Sequence, residues 1–135
     1  MKKHSISWHK KKCWKLFSLY IRLKETDANG YGNCITCGTN HHYKDLQAGH
    51  FVDGRGNSIL FDQRGVHIQC YACNCCLHGS KLKYWVWMEK NFGRNTIDEL
   101  IILSKQPRKF TISELEQMAI DYTLRTSEML KGKQI

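Results

Sequence analysis

A chain of 135 residues supports one compact domain with one modest core, and a 41% hydrophobic fraction with four Trp fits a globular protein rather than a disordered tail. Lys and Arg number 21 against 12 Asp and Glu, giving net +9 and a pI near 9.3. That balance points to a polyanionic partner, most simply nucleic acid, and says little about fold. No stretch approaches the ~20 apolar residues of a membrane span, and Lys10-Lys11-Lys12 falls where a leader begun by Met1-Lys2-Lys3 would need its apolar segment.

The excess charge is concentrated early: Lys2, Lys3, Lys10, Lys11, Lys12, Lys15, Arg22 and Lys24 all precede the first acid, Glu25. Trp14, Phe17 and Ile21 repeat at helical spacing, joined by Leu16, Tyr20 and Leu23. The pattern predicts a basic amphipathic helix over 8–26, with an aromatic stripe packed inward and lysines outside. Its basic face, with His4 and His9, either binds DNA through Lys10, Lys11, Lys12 and Lys15 or simply keeps the surface solvated. The Asp27, Asn29, Gly30 and Gly32 cluster then ends it.

Cys34-Ile-Thr-Cys37 and Cys70-Tyr-Ala-Cys73 are two Cys-x-x-Cys pairs. Four thiolates so arranged suit tetrahedral Zn²⁺, each pair holding the metal from one tight turn. Seven cysteines are an odd count, and pairs of this kind read as metal ligands in a reducing cytoplasm rather than as a secreted disulfide scaffold. Cys13 reads as a small core residue; Cys75 and Cys76 could compete for the zinc.

The gap between the pairs is longer than the ~15–20 residues of a zinc ribbon, and it has room for strand, loop and strand. Leu46 to Val52 is the first predicted strand, Gly54-Arg55-Gly56-Asn57 an exposed loop, and Val66 to Gln69 the second strand. His41 and His42 read as exposed loop residues. From Asn74 the pattern turns helical, with Leu77, Leu82, Trp85, Val86 and Met88 along one side and Gly93 as the stop. A short helix capped by Asn95 or Thr96 runs through Leu103, and Pro107 marks the next break. Thr111-Ile-Ser-Glu114 is a capping box opening a last helix to Lys131, with Leu115, Met118, Ala119 and Tyr122 buried. The whole reads as a single domain over 1–135: basic helix 8–26, zinc-bound core 33–93, and C-terminal helices 95–131.

A strand ending in histidine, a second strand, and a helix beside a zinc knuckle resemble the ββα-metal (HNH, or His-Me finger) nuclease core. The predicted fold class is therefore α+β, a zinc-stapled HNH-like core with flanking helices. Phosphodiester hydrolysis needs a base for water and a divalent cation for the charge developing on the phosphorane and the leaving 3′-oxygen. His50 is the candidate base, and Asn74 supplies a hard amide oxygen suited to Mg²⁺ or Mn²⁺. His78, four residues after Asn74, would share its helical face as a second ligand. His67 is read two ways, as a catalytic or metal-binding residue or as a hydrogen bonder inside the unit, and its direction along the strand is left open. Arg55, Arg64, Lys81 and Lys83 are candidates to hold phosphates without reading bases.

The run Cys34-Ile-Thr-Cys37-Gly38-Thr39, then Ala48-Gly49-His50-Phe51, then Leu60 to Cys70, Cys73-Asn74 and Leu77-His78-Gly79 resembles the NinG/Rap recombination nucleases of lambdoid phages. The likeness covers nearly the whole chain, without the family's long N-terminal extension. It implies enzymes that nick branched DNA, including Holliday junctions and D-loops, in a phage-infected bacterial cytoplasm beside phage or host recombination proteins. It also implies structural zinc on Cys34, Cys37, Cys70 and Cys73, a catalytic His50, and active-site or metal roles for His67 and Asn74. Resolving a four-way junction takes two symmetric nicks, so a two-fold dimer would suit. Three positions depart from the pattern. Gly49 stands where many HNH proteins place an acidic metal ligand, and the usual middle asparagine would fall near Gly65. His78 stands where the family pattern has lysine or serine, so its ligand reading rests on spacing alone.

The leading expectation is thus a metal-dependent endonuclease of branched DNA that leaves 5′-phosphate and 3′-hydroxyl ends. Two alternatives stay open: a catalytically silent zinc module that binds DNA, and a general HNH nuclease acting on linear duplex.

Overall fold

The computed structural model of the chain describes residues 3–135. Met1 and Lys2, part of the basic run above, lie outside the described residues. Helix α1 (Ile6–Lys24) starts where the Ser5 hydroxyl accepts the Trp8 N–H, and it ends with Arg22 and Lys24 in its last turn, where cations suit the exposed carbonyls. Its buried side, Cys13, Phe17 and Ile21, repeats every four residues. Helix α5 is the last in the chain (Ile112–Lys131); its capping box forms as expected, Thr111 and Glu114 satisfying each other's backbone N–H groups. It lies along α1, with Leu115 and Ala119 against Cys13 and with Tyr122 meeting Phe17 edge-on. The Cys13 thiol donates to the Leu115 carbonyl, so this cysteine is the core residue its spacing suggested.

Between these helices run two small antiparallel sheets. Strands β1 (Tyr31–Asn33) and β2 (Asn40–His42) form a hairpin around the first cysteine pair. Strands β3 (Leu46–His50) and β4 (Val66–Cys70) pair with Ala48 opposite Ile68 and Gly49 opposite His67. Alternation sends Leu46, Ala48, Val66 and Ile68 to one face, where they close on Phe17, Ile21 and Tyr122. The register is regular, so His67 and Gln69 share the opposite face without any bulge. That face is covered by α3 (Lys81–Phe92), whose Tyr84 hydroxyl donates to the Gly49 carbonyl at 2.8 Å. Tyr84 and Met88 then join Ile97 and Leu100 of α4 (Arg94–Ser104) and Phe51 in a second core. The short α2 (Asn57–Leu60) sits in the connection between β3 and β4.

Several expectations are corrected. No α-helix begins at Asn74: the segment Ala72–Cys76 makes one wide turn, closed by the Leu77 N–H on the Ala72 carbonyl, and α3 starts only at Lys81. His78, Gly79 and Ser80 all have positive φ (50°, 89° and 49°), which no right-handed helix accommodates. Met88 is buried as expected, but it shares its side with Tyr84, four residues earlier, whereas Leu77, Leu82 and Val86 are exposed. Strand β3 stops at His50, short of Val52. Helix α4 opens at Arg94 directly after Gly93, whose φ of 88° breaks the chain between two helices, so neither Asn95 nor Thr96 caps it. His41 and His42 lie half-buried in β2 rather than in an open loop.

Candidate functional site

The four paired cysteines converge. Their sulfurs all lie within 4.8 Å of one another, with Cys37 and Cys70 at 3.7 Å. Tetrahedral Zn–S bonds of about 2.3 Å need sulfurs spaced roughly 3.8 Å apart, so the cluster fits a structural zinc. The first pair is shaped as a metal-holding turn: the Gly38 N–H returns to the Cys34 carbonyl, and Gly38 has φ +78°. At Cys34 burial opposes ionisation, but the Thr36 hydroxyl and nearby backbone N–H groups outweigh it and pull the thiol down, whereas at Cys70 burial pushes the thiol up to about 11. Cys75 and Cys76 stay outside the cluster and exposed.

Beside the cysteine cluster, β3 has an open edge, and along it lies a cavity of about 630 Å³. Trp14, Ser18 and Arg22 of α1 form one wall; Asn74, His78 and Lys81 form the other, with His50 and Arg55 at the end. His50 is buried against the Trp14 ring, stacked at 5.0 Å and 20°. Its Nε2–H donates to the Leu60 carbonyl at 3.1 Å. A carbonyl only accepts, so this bond fixes the tautomer and leaves the Nδ1 lone pair free. Burial holds the imidazole down at about 4; the Leu60 carbonyl opposes that, while the charges of Arg55 and Lys81 add to it. The resting group is therefore a neutral imidazole, the form a base requires.

Asn74 reaches the cavity from the wide turn, anchored by its Nδ2–H on Gln47 Oε1 at 2.7 Å, which leaves Oδ1 as the free end. His78 lines the same cavity, brought there by a left-handed turn rather than by a shared helical face. Lys81 lines it too, with Nζ bonded to the carbonyls of His50 and Phe51 and paired with Asp53 at 3.1 Å. Arg55 lies over the Trp14 ring at 4.5 Å.

Other predicted residues are placed elsewhere. His67 is buried in the α3 face of the sheet, where Nε2 donates to the Arg64 carbonyl and Nδ1 meets Glu25 at 2.6 Å. Both nitrogens are engaged inside the fold, and His67 is not among the residues lining the cavity. Arg64 is taken up by Asp62 and Glu99. Lys83 is exposed on α3, away from the cavity lining. Lys10, Lys11 and Lys15 flank a neighbouring hollow that shares Trp14 and Arg55 with the cavity, whereas Lys12 turns to the α5 side.

Sequence reasoning missed Arg22, Ser18 and the carbonyl of Leu60. Arg22 is half-buried, with Nε on the Ser18 hydroxyl and Nη1 on the Tyr43 carbonyl, and burial lowers its pKa from the ordinary value. A signal existed for it: Arg22 sits four residues after Ser18 and eight after Trp14, on one helical face. The Leu60 carbonyl left no trace in side-chain identity.

The family model described as Bacteriophage Lambda NinG protein matches residues 1–132. Protein ninG of Escherichia phage lambda is 25% identical over 124 residues, covering 91% of this chain and 58% of its own length. Protein ninG of Escherichia phage 933W is also 25% identical over 124 residues, covering 91% and 59%. That of Salmonella phage P22 is 26% identical over 120 residues, covering 88% and 56%. The chain thus spans less than three-fifths of the length of these curated relatives. No solved structure matches it. Among the described residues no helix is long and apolar enough to cross a membrane. With its family model matched over almost its full length, the chain belongs to the NinG family of lambdoid phage proteins.

Proposed function

We propose that the chain is a metal-dependent DNA endonuclease with an HNH-like centre, and that branched recombination intermediates are its substrate. One observation carries the chemistry: a neutral His50, pinned by its Nε2–H, offers a free Nδ1 to a basic cavity that also holds the Asn74 amide oxygen. A divalent cation at Asn74 would supply charge stabilisation for the phosphorane and the leaving 3′-oxygen. Arg22, Arg55 and Lys81 attract the phosphate and hold it between His50 and Asn74. Nδ1 of His50 takes the proton from the attacking water, and the Leu60 carbonyl keeps the ring oriented as it becomes imidazolium. An entering phosphate raises the imidazole pKa from about 4, towards that of an effective base at neutral pH. A zinc on Cys34, Cys37, Cys70 and Cys73 would hold in place the turn that carries Asn74. The preference for branched DNA rests on the family resemblance.

The test is a nicking assay with Mg²⁺ or Mn²⁺ on a four-way junction and on linear duplex. His50→Ala lowers the rate by about 100-fold or more, the loss typical of removing a general base. Equal cleavage by the variant sinks the base assignment, and absence of cleavage with any metal leaves a zinc-stabilised DNA-binding module. Equal cutting of junction and duplex removes the branched-DNA preference.

A further inference from the structure

Gly49 precedes His50 on β3 and has no side chain to offer a cation. The space beside it is taken instead by Gln69 of β4. A Cβ built on Gly49 would lie 1.9 Å from Gln69 Oε1 and 3.0 Å from Asn74 Oδ1, so the two amide oxygens are neighbours on the same side of Gly49. The orientation of the Gln69 amide is fixed, because its Nε2 donates to the Gly79 carbonyl at 2.8 Å and to Thr36 Oγ1 at 3.2 Å. Gln69 is wholly buried, yet Oε1 has no hydrogen-bond partner. A buried acceptor left without a partner is costly, so an unpaired one calls for a group that uses it.

We propose that Gln69 Oε1 and Asn74 Oδ1 form a neutral pair of cation ligands, which a divalent cation occupies only together with a DNA phosphate. The inference rests on the nuclease reading and names its metal ligands and order of binding. Charge decides the order. Asp53 is the one acid lining the cavity, and it is mostly exposed and already paired with Lys81. Against it stand Arg22, Arg55 and Lys81. Two uncharged amide oxygens amid net positive charge bind a free Mg²⁺ or Mn²⁺ poorly, since such sites normally use one or two carboxylates plus substrate phosphates. A phosphate entering first reverses the local charge and brings its own oxygen ligands.

Mn²⁺ binding to the zinc-loaded protein, followed by the electron paramagnetic resonance of free Mn²⁺, tests this apart from activity. The wild type is expected to bind Mn²⁺ at least tenfold more tightly with a non-cleavable phosphorothioate duplex than without it, after subtraction of binding to the duplex alone. Asn74→Asp, which adds a carboxylate with almost no change of shape, is expected to bind Mn²⁺ without DNA. Gln69→Leu added to that variant removes the gain, with circular dichroism and zinc content confirming the fold. Equal Mn²⁺ affinity with and without DNA overturns the ordered binding, and so does no protein-dependent binding in either case. A double variant that retains the gain removes Gln69 from the site. A parallel cleavage assay separates the readings: DNA cut by a protein that fails these binding tests leaves the nuclease intact and removes only the proposed ligands.

Discussion

His50 couples the proposed chemistry to stability through one proton. Its folded pKa of about 4 lies below the ordinary imidazole value of ~6.5, so between these limits the unfolded chain binds more protons than the folded one. Stability from the neutral ring is therefore full above ~6.5, falls as the pH drops, and is gone once it passes below about 4. The whole window is on the order of 3 kcal/mol, since each tenfold change in proton affinity is worth ~1.4 kcal/mol. Urea midpoints at pH 7, 5.5 and 4 should fall more steeply for the wild type than for His50→Asn, and parallel curves would show that the buried ring is not the group titrating. The neighbouring glycine has a steric role. Gly49→Ala drives a methyl into the pinned Gln69 amide and should cost about 1–3 kcal/mol, read as a lower urea midpoint at unchanged m-value.

At the scale of elements, the cysteine cluster and the helix pair organise different parts of the chain. The α1–α5 pair closes on its own apolar faces around Cys13, Phe17, Leu115 and Tyr122. The β1–β2 hairpin and the Ala72–Cys76 turn, by contrast, have the cysteine cluster as their core. Cys70→Ser, or chelation, should therefore raise hydrogen exchange over 31–42 and 70–79 while α1 and α5 stay protected, and uniform loss of protection would mean that zinc holds the whole fold. The same division explains what the sequence made legible. Helices α1 and α5 announced themselves through long periodic faces and a capping box, and the cysteine pairs through spacing. The β1–β2 hairpin did not, because Tyr31-Gly-Asn33 and Asn40-His-His42 are three-residue strands without apolar alternation. The late start of α3 was hidden because His78 and Ser80, ordinary residues, adopt conformations usually left to glycine. His50 and Asn74 were singled out by their residue types, and the structure places both on one cavity. Arg22 and the Leu60 carbonyl were not, since one belongs to the helix outside the core motif and the other is backbone.

Across the whole molecule, a net charge of +9 does not make every cation a DNA contact. Arg64 is paired at the surface with Asp62 and Glu99, at 2.8 and 2.7 Å, whereas Arg22 and Arg55 face the cavity with no acid paired to them among the described residues. Lys10, Lys11 and Lys15 extend that positive surface along α1, so a duplex following the cavity would cross the helix. Each phosphate a cation neutralises contributes about 0.9 to the slope of log K against log salt. Arg55→Ala and Arg22→Ala should each lower the slope by about one while lowering affinity alike across DNA sequences. Arg64→Ala should leave the slope unchanged and change stability by no more than about 1 kcal/mol, because its pairs with Asp62 and Glu99 lie largely at the surface. Binding titrations between about 50 and 200 mM salt on a junction distinguish the two classes. An Arg64→Ala slope lower by one would mean that the surface pair opens on DNA, and the phosphate path would then run past α4 instead of along α1.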